Sequence, residues 1–505
     1  MTDETWQHKL DRVTSLALLI MIFVGLLLCT MMIVSVTATN FHLSFYLRSE
    51  SILPIFLLTI LVSSAFPAAR FSFGFFVGFY MFAMMASYFW FNSFGTLGYD
   101  RRAALISATA SIILFLLPAL FLTAPAKPRF VLPWAVIDAF PFAVIAFAIV
   151  LLLATASSNV PSFGNLADMY KYRNEVNHSR LVSYAIGNFN GGLLPFAFAC
   201  LFLRRRFLLL LPLCTVAVLF YAVTYTKLSL LVSFYLIFMA VLASAFNARA
   251  TVILSLLIPL GTGLLSSLYD SAFTNAVFGT LSFRLLAVPG ITLDHYYVFF
   301  SDHPLTHFCQ ISLLRAFTQC PYSDQLGVVL ANWFAIGNMN ASLFATEGIA
   351  SIGPRFAPIS ALICGLVIAA GNAVTAGLPK RFVLISAAMI PQILLNVPLT
   401  TTLLSNGLGL LFVLWYFMPR DYFETARHPR LAPDSANPLE PPLAIDHRFA
   451  TPLDATVMRC VNSVELRLCR PTSYLIGLTR CRSTTCNKPK QATLHRPVLF
   501  PDMRI

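Results

Sequence analysis

The segment Val13-Thr-Ser-Leu-Ala-Leu-Leu-Ile-Met-Ile-Phe-Val-Gly-Leu-Leu-Leu-Cys-Thr-Met-Met-Ile-Val-Ser-Val-Thr37 runs for 25 residues without one charged side chain. A helix crosses the hydrocarbon core of a bilayer with about 20 apolar residues, and only helices or closed barrels satisfy every backbone amide there. The segment is therefore expected to span a membrane. It is longer than the apolar core of a cleaved signal peptide and no small-residue cleavage pattern follows it, so it is expected to be retained. Comparable runs follow at about 52–69, 72–91, 103–123, 133–155, 184–203, 207–223, 229–245, 251–268, 356–375, 382–397 and 402–418. The expected fold class is all-α, a polytopic integral membrane protein with about 12 transmembrane helices.

Composition agrees. Of 505 residues 58% are hydrophobic and 11% charged, and the mean hydropathy is +0.77; an ordinary soluble domain carries roughly 25% charged residues. A soluble globular enzyme is excluded, because so few charges cannot clothe the surface of a chain this long. The formal charge of +13 would suit a nucleic-acid binder, but the cations stand mostly singly between apolar runs, as topology signals do. No nucleic-acid partner is expected. Cys29, Cys200, Cys214 and Cys364 lie inside apolar runs, no CxxC occurs, and Cys460, Cys469, Cys481 and Cys486 lack metal-ligand spacing, so no metal site and no cofactor is expected.

Cytoplasmic loops hold an excess of Lys and Arg. The triplet Arg204–Arg206 and the pair Lys380, Arg381 decide the orientation and place both ends of the membrane domain inside. This leaves two long connections on the outer face, 156–183 and 269–355, the only segments with room for a site carried on a rigid scaffold. Within the second, Ile291–Phe300 and Val328–Ile336 are expected as short interfacial helices. The membrane domain is read as 1–420. After it, prolines cluster and aromatics thin out, so 421–505 is expected to be a cytoplasmic, mainly disordered tail.

Three stretches carry candidate chemistry. In the first outer loop Lys171, Arg173 and Arg180 could hold a pyrophosphate, since a guanidinium offers a planar fork that keeps its charge; equally, basic residues beside a bilayer meet anionic headgroups. The second loop offers Arg284, then Asp294-His295-Tyr296-Tyr297, Asp302, His303 and His307. Histidine takes a proton near neutral pH and aspartate can orient it or activate a hydroxyl, although a solvated polar loop has the same composition. His303 and His307 are four apart, but Pro304 lies between them and no HExxH framework surrounds them, which argues against a metal. Further on, Asn340 and Glu347 lie among glycines that permit close backbone approach; an ordinary helix-start turn is the alternative. Cys309 and Cys320 could pair if the loop is extracytoplasmic. The spans are nearly free of ionisable groups and show no clear internal repeat, which weakens a transporter reading.

The order of these features resembles the bacterial oligosaccharide repeat unit polymerases (O-antigen polymerases, Wzy type): about a dozen spans, an Arg-bearing outer loop, then Ser282-Phe283-Arg284, Pro289-Gly290, Asp294-His295-Tyr296-Tyr297, a Phe-Phe-Ser-x-His-Pro stretch, Asn338-x-Asn340 and Glu347-Gly348 through Gly353. The resemblance covers about 160–375 and departs after Arg420. It implies a glycosyltransferase of the bacterial inner membrane with its active face periplasmic. The enzyme would move a glycan from undecaprenyl pyrophosphate onto a fresh lipid-linked repeat unit, with a chain-length regulator as a further partner. Arg284 and Arg180, supported by Arg173, would hold the pyrophosphate, and Tyr296, Tyr297 and Asn340 would contact substrate. With no DxD in the outer loops, arginine rather than a divalent ion is favoured for the leaving group. His303 is the first candidate for the base and His295 the second, with Asp294 or Glu347 in reserve. An O-antigen ligase shares the donor and a glycan flippase shares the topology, so both remain open.

Overall fold

The structure, a computed structural model, describes residues 3–37, 41–45, 49–156, 179–269, 271–311, 314, 317–337 and 340–423. The described chain is helical throughout. In order come α1 (Asp3–Thr37), α2 (Ser49–Ser63), α3 (Ala65–Ala68), α4 (Phe73–Phe94), α5 (Arg101–Phe121), α6 (Trp134–Ala156), α7 (Arg180–Leu203), α8 (Phe207–Thr224), α9 (Lys227–Ala245) and α10 (Ala248–Ser266). Then follow α11 (Ala272–Phe278), a π-helical stretch Gly279–Ala287, α12 (Val288–Asp302), α13 (Leu326–Phe334), α14 (Phe344–Thr375), α15 (Lys380–Ser386), α16 (Met389–Leu394), α17 (Leu399–Ser405) and α18 (Leu408–Phe417). Side-chain oxygens of Ser72, Asp100, Ser179 and Asn247 accept from the first free amides of α4, α5, α7 and α10, as helix starts require.

Helix α1 shows what solvent the fold is built for. Leu19, Ile22, Leu26, Cys29 and Ile33 form its buried stripe, while Leu16, Ile20, Val24 and Leu28 are exposed on its other side. A helix in water would place charges there; apolar groups on both faces fit lipid on one and protein on the other. Helix α4 is the opposite case, buried along all 22 residues. It forms the centre of the bundle. Across it and its neighbours Tyr80 Oη bonds Tyr235 Oη and Ser255 Oγ, both at 2.9 Å, joining α4, α9 and α10 by hydrogen bonds that lipid cannot replace.

The closest helix pair is α5 with α14. Ala357, Ala361, Gly365 and Ala369 recur every four residues along α14 and all are buried, the small-residue seam that lets two backbones approach. At Gly365 an added Cβ would sit 2.4 Å from the Phe115 carbonyl oxygen. Asn372 closes the seam: its Nδ2 donates to the carbonyls of Ala119 (2.8 Å) and Leu122 (3.0 Å), and its Oδ1 accepts from Gly74 N (2.6 Å).

Nine helices among the described residues are long and apolar enough to cross a membrane, or ten if α17 and α18, bent by 60°, count as one; Ile52–Ala68 and Ser229–Ala245 are shorter apolar helices. The chain is thus a polytopic membrane protein in its helix content, and besides those short helices and the bent pair its division differs from the sequence expectation of twelve spans at two further stretches. The run 382–397 is split between α15 and α16. The connection 269–355 is far more helical than expected, and Phe273–Asp302 is itself one of the nine. Pro289 lies inside this helix, two residues past the π-helical stretch Gly279–Ala287; such a local change of hydrogen-bond register accommodates a residue that lacks an amide hydrogen. Gly290 packs on α4, where a Cβ would lie 2.8 Å from Ser87 Oγ. Of the first loop, 157–178 lies outside the described residues, as does the tail 424–505.

The loops define two ends. At one, the connection 41–45 pairs with the α4–α5 turn: Ser44 N donates to Phe94 O and Thr96 N to His42 O, both 2.8 Å, around the bridge Leu43–Gly95. At the other, the Leu132 amide meets Phe417 O at 3.0 Å and Arg249 donates to Ala69 O.

Candidate functional site

The polar residues of the second long connection gather at the 41–45 end. Residues Asp294, His295, Tyr296 and Tyr297 are consecutive in α12, and successive side chains on a helix diverge by about 100°. Four neighbours therefore cannot face one cavity, and each meets a different element. Gly290 and Tyr297, two turns apart, both touch the same turn of α4: Gly290 packs on Ser87 and Tyr88, and the Tyr297 ring stacks on Tyr88 with centroids 5.6 Å apart. Leu286 meets Ser87, Gly290 meets Ser87 to Phe91 and Asp294 meets Gly95, so this segment packs along the last turns of α4.

Asp294 points at the α4–α5 turn. Asn92 Nδ2 donates to Tyr99 Oη at 2.6 Å, and Tyr99 donates in turn to Asp294 Oδ1. Burial, and then the Asp294 carboxylate beside it, hold the Tyr99 hydroxyl well above the usual tyrosine range, so Tyr99 stays a donor. Arg101 lies beside this pair, and its guanidinium is engaged with the carbonyls of Asn92, Gly95 and Leu97. It fixes the turn that presents Tyr99.

His295 faces away from Asp294, towards His42 (ring centroids 6.1 Å) and Phe334 of α13 (4.6 Å, edge-on). Its Nδ1 lies 2.8 Å from Ile291 O; a carbonyl only accepts, so the proton is assigned to Nδ1 and Nε2 carries the lone pair. That Nε2 is buried without a hydrogen-bond partner. His303, half-buried at the end of α12, repeats the arrangement: Nδ1 to Phe299 O at 2.8 Å, the ring stacked 3.9 Å from Phe299 and edge-on to Trp333. His303 and His307 do not come together as a metal pair, and no group of three or more His, Cys, Asp or Glu converges among the described residues.

Tyr296 points towards Glu347, which is buried in the π-helical start of α14 (Phe344–Ile349). The Glu347 carboxylate takes the Thr400 amide (3.0 Å), the Thr400 hydroxyl (2.9 Å) and the Thr346 hydroxyl (2.8 Å). It caps the first turn of α17. Tyr297 donates to Ser107 Oγ at 3.2 Å, and Ser107 to Pro354 O, just past Gly353, whose φ of +84° only glycine adopts freely.

The arginines behave differently from Arg101. Arg284 is half-buried in the π-helical stretch 279–287 and Arg180 is exposed at the start of α7; neither makes a hydrogen bond or ion pair with the described residues. Phe283, next to Arg284, touches Phe41 at 5.5 Å, and His42 faces His295, so the 41–45 connection packs on both parts of the helix Phe273–Asp302. Asn340 is exposed. Arg173 lies outside the described residues. Cys309 and Cys320 form a disulfide, Cα to Cα 5.3 Å.

Two patterns were invisible in the sequence. Three π-helical turns, Phe189–Leu193, Gly279–Ala287 and Phe344–Ile349, carry Asn190, Arg284 and Glu347; such turns re-aim side chains and recur at functional sites. Buried polar atoms without partners occur here as well: His295 Nε2 and Tyr296 Oη on α12, and Ser342 Oγ just before the turn that carries Glu347. A buried orphan costs about 1–3 kcal/mol, which marks this end as a place to bind something polar. Tyr99, Asn92 and Arg101 were missed as site residues; their one signal was the Tyr-Asp-Arg-Arg run 99–102 in an otherwise apolar region. No family model, curated protein or solved structure matches the chain.

Proposed function

We propose that the chain is a membrane glycosyltransferase that polymerises undecaprenyl-pyrophosphate-linked oligosaccharide repeat units at the periplasmic face of a bacterial inner membrane. On this reading it crosses the bilayer twelve times. The segments α2 with α3, α9, α15 with α16 and α17 with α18 each cross once, and Phe273–Asp302 stays at the periplasmic end. The Cys309–Cys320 disulfide suits an oxidising compartment. Arg204–Arg206, Lys380 and Arg381 at the opposite end suit the cytoplasm.

The observation that carries the proposal is an uncommitted arginine on the same helix as an orphaned imidazole nitrogen: His295 Nε2 is buried without a partner, and Arg284, three turns earlier, has every guanidinium donor free of the described protein groups. Transfer needs a cation for the departing pyrophosphate and a base for the attacking sugar hydroxyl. Arg284 and Arg180 serve as the first. His295 is the base, with Nδ1 fixed and Nε2 left as acceptor; His303 stands at the far end of the same helix from Arg284, about 28 Å at the helical rise per residue, too far to act on the bond that Arg284 assists, and Asp294 and Glu347 are already held by hydrogen-bond donors.

The test is purified full-length protein given lipid-linked repeat units in excess chelator. Ladder-forming polymer is expected. Activity that vanishes on chelation and returns with magnesium or manganese would overturn the arginine account. Deleting the gene and resolving surface polysaccharide on a gel separates the classes: single-repeat product supports a polymerase, loss of glycan-capped lipid A a ligase, and loss of all surface glycan a flippase.

A further inference from the structure

The end opposite the candidate site holds a second concentration of unmet polar groups. A cavity of about 870 Å³ opens there between the ends of α7, α9, α14 and α15. Five cations line it, Arg204, Arg205, Lys380, Arg381 and Arg420, and among the described residues no Asp or Glu does. The neighbouring Asp138 is taken up by Arg206 at 3.4 Å and by the Tyr422 hydroxyl at 2.8 Å.

Helix C-termini attract cations, and capping accounts for part of the cluster. Arg420 Nη2 donates to Val374 O at 2.8 Å, at the end of α14, and Arg381 Nη2 lies 3.4 Å from Ser244 O, at the end of α9. Capping does not use the rest. Arg420 Nη1 and Arg204 Nε are buried without a hydrogen-bond partner. Arg204 lies over the Tyr422 ring, 4.0 Å from its centroid, so its plane is held in place. Fixed guanidinium donors and five cations, with no described acidic residue lining the same concavity, match an oxyanion such as phosphate. The rim supplies the other half of the ligand: Phe207 is 55% and Leu208 90% exposed, apolar surface on the bundle's outside next to a charged pocket.

We propose that this cavity binds the phosphodiester headgroup of an anionic phospholipid, the phosphate among the arginines and the acyl chains along Phe207 and Leu208. Basic pockets between helices at a membrane surface hold lipids in this way. The proposal does not depend on the polymerase reading.

It is tested on the full-length protein in phosphatidylcholine nanodiscs titrated with phosphatidylglycerol, with bound lipid counted by native mass spectrometry. Arg205, Lys380 and Arg381 are exposed, so the triple change to Gln keeps the fold. It is expected to weaken phosphatidylglycerol binding roughly 100-fold, at about a factor of several per cation removed near a membrane surface, and raised salt should weaken wild-type binding. Arg420→Gln alone is expected to reduce it several-fold. Equal binding by the wild type and the triple variant would overturn the proposal. Displacement of bound phosphatidylglycerol by millimolar inorganic phosphate would overturn the lipid assignment, because the site would then be one for the free anion.

Discussion

Removing Glu347 separates a structural carboxylate from a catalytic one. Three donors converge on it, two of them from Thr400 at the start of α17. In Glu347→Ala the Thr400 amide loses its acceptor, while the Thr346 hydroxyl keeps its bond to Ser342 O at 3.0 Å. The half-buried Thr400 amide and hydroxyl, both left without their acceptor, and the void left by the side chain cost roughly 3 kcal/mol together. In Glu347→Gln the shape survives and Oε1 still accepts from Thr400. The new amide can donate to the Thr346 hydroxyl, and the exchange of charged for neutral hydrogen bonds is offset by the easier burial of an uncharged group. The expected cost is about 1 kcal/mol. Thermal melts of the full-length protein, followed by intrinsic fluorescence, should rank wild type, then Gln close below, then Ala well below, and the Gln variant should still make polymer. A Gln variant that melts with Ala would refute the cap. A Gln variant that melts like wild type but makes no polymer would show that the charge performs chemistry, and His295 would lose its place as the base.

Arg284→Ala should lose nearly all polymer and Arg284→Lys much of it at unchanged membrane abundance, because Lys supplies a point charge without a fork; near-normal polymer length in the Ala variant removes Arg284 from the site. His295→Ala should stop turnover while lipid-donor binding persists, and full polymerisation by both His295→Ala and His303→Ala would eliminate histidine as the base. Gly365→Leu should abolish the folded state, since its Cβ would meet the Phe115 carbonyl at 2.4 Å and a backbone cannot yield as a side chain does; a stable Leu variant would contradict the seam between α5 and α14. On a background lacking native cysteines, Ser162→Cys and Ser323→Cys should react with an impermeant thiol reagent in whole cells, and labelling only after lysis would reverse the orientation.

The apolar runs were legible because lipid asks one thing of a sequence, and a 20-residue stretch without charge meets it whatever its neighbours are. What such runs leave out is which helices end up enclosed. Nothing in 73–94 announces a helix buried on every side, apart from Tyr80, Tyr88 and Asn92 scattered around its circumference. The candidate site was legible as a set of residue types and not as an arrangement. Asp294 to Tyr297 looked like one loop cluster, and helix geometry sends them to Tyr99, His42, Glu347 and Ser107. Glu347 looked like a lone carboxylate, and its partner Thr400 lies 53 residues away. The π-helical turns depend on backbone hydrogen bonds that side-chain identity does not encode.

The enclosure of α4 bears on how the molecule is made. Among the nine spanning candidates α4 is the least hydropathic, and α6, the least enclosed, is among the most. A helix leaving the translocon first meets lipid, and its polar groups then face hydrocarbon. For α4 these include Tyr80, Ser87, Tyr88 and Asn92, whose partners Tyr235, Ser255, Leu286 and Tyr99 mostly lie far downstream. During synthesis the centre of the bundle is thus the segment least able to stand alone, waiting for about 200 further residues before its hydroxyls are satisfied. Assembly of this protein should stall or misinsert at α4 first, and a chaperone or neighbouring helix that shelters it would set the yield of the whole chain.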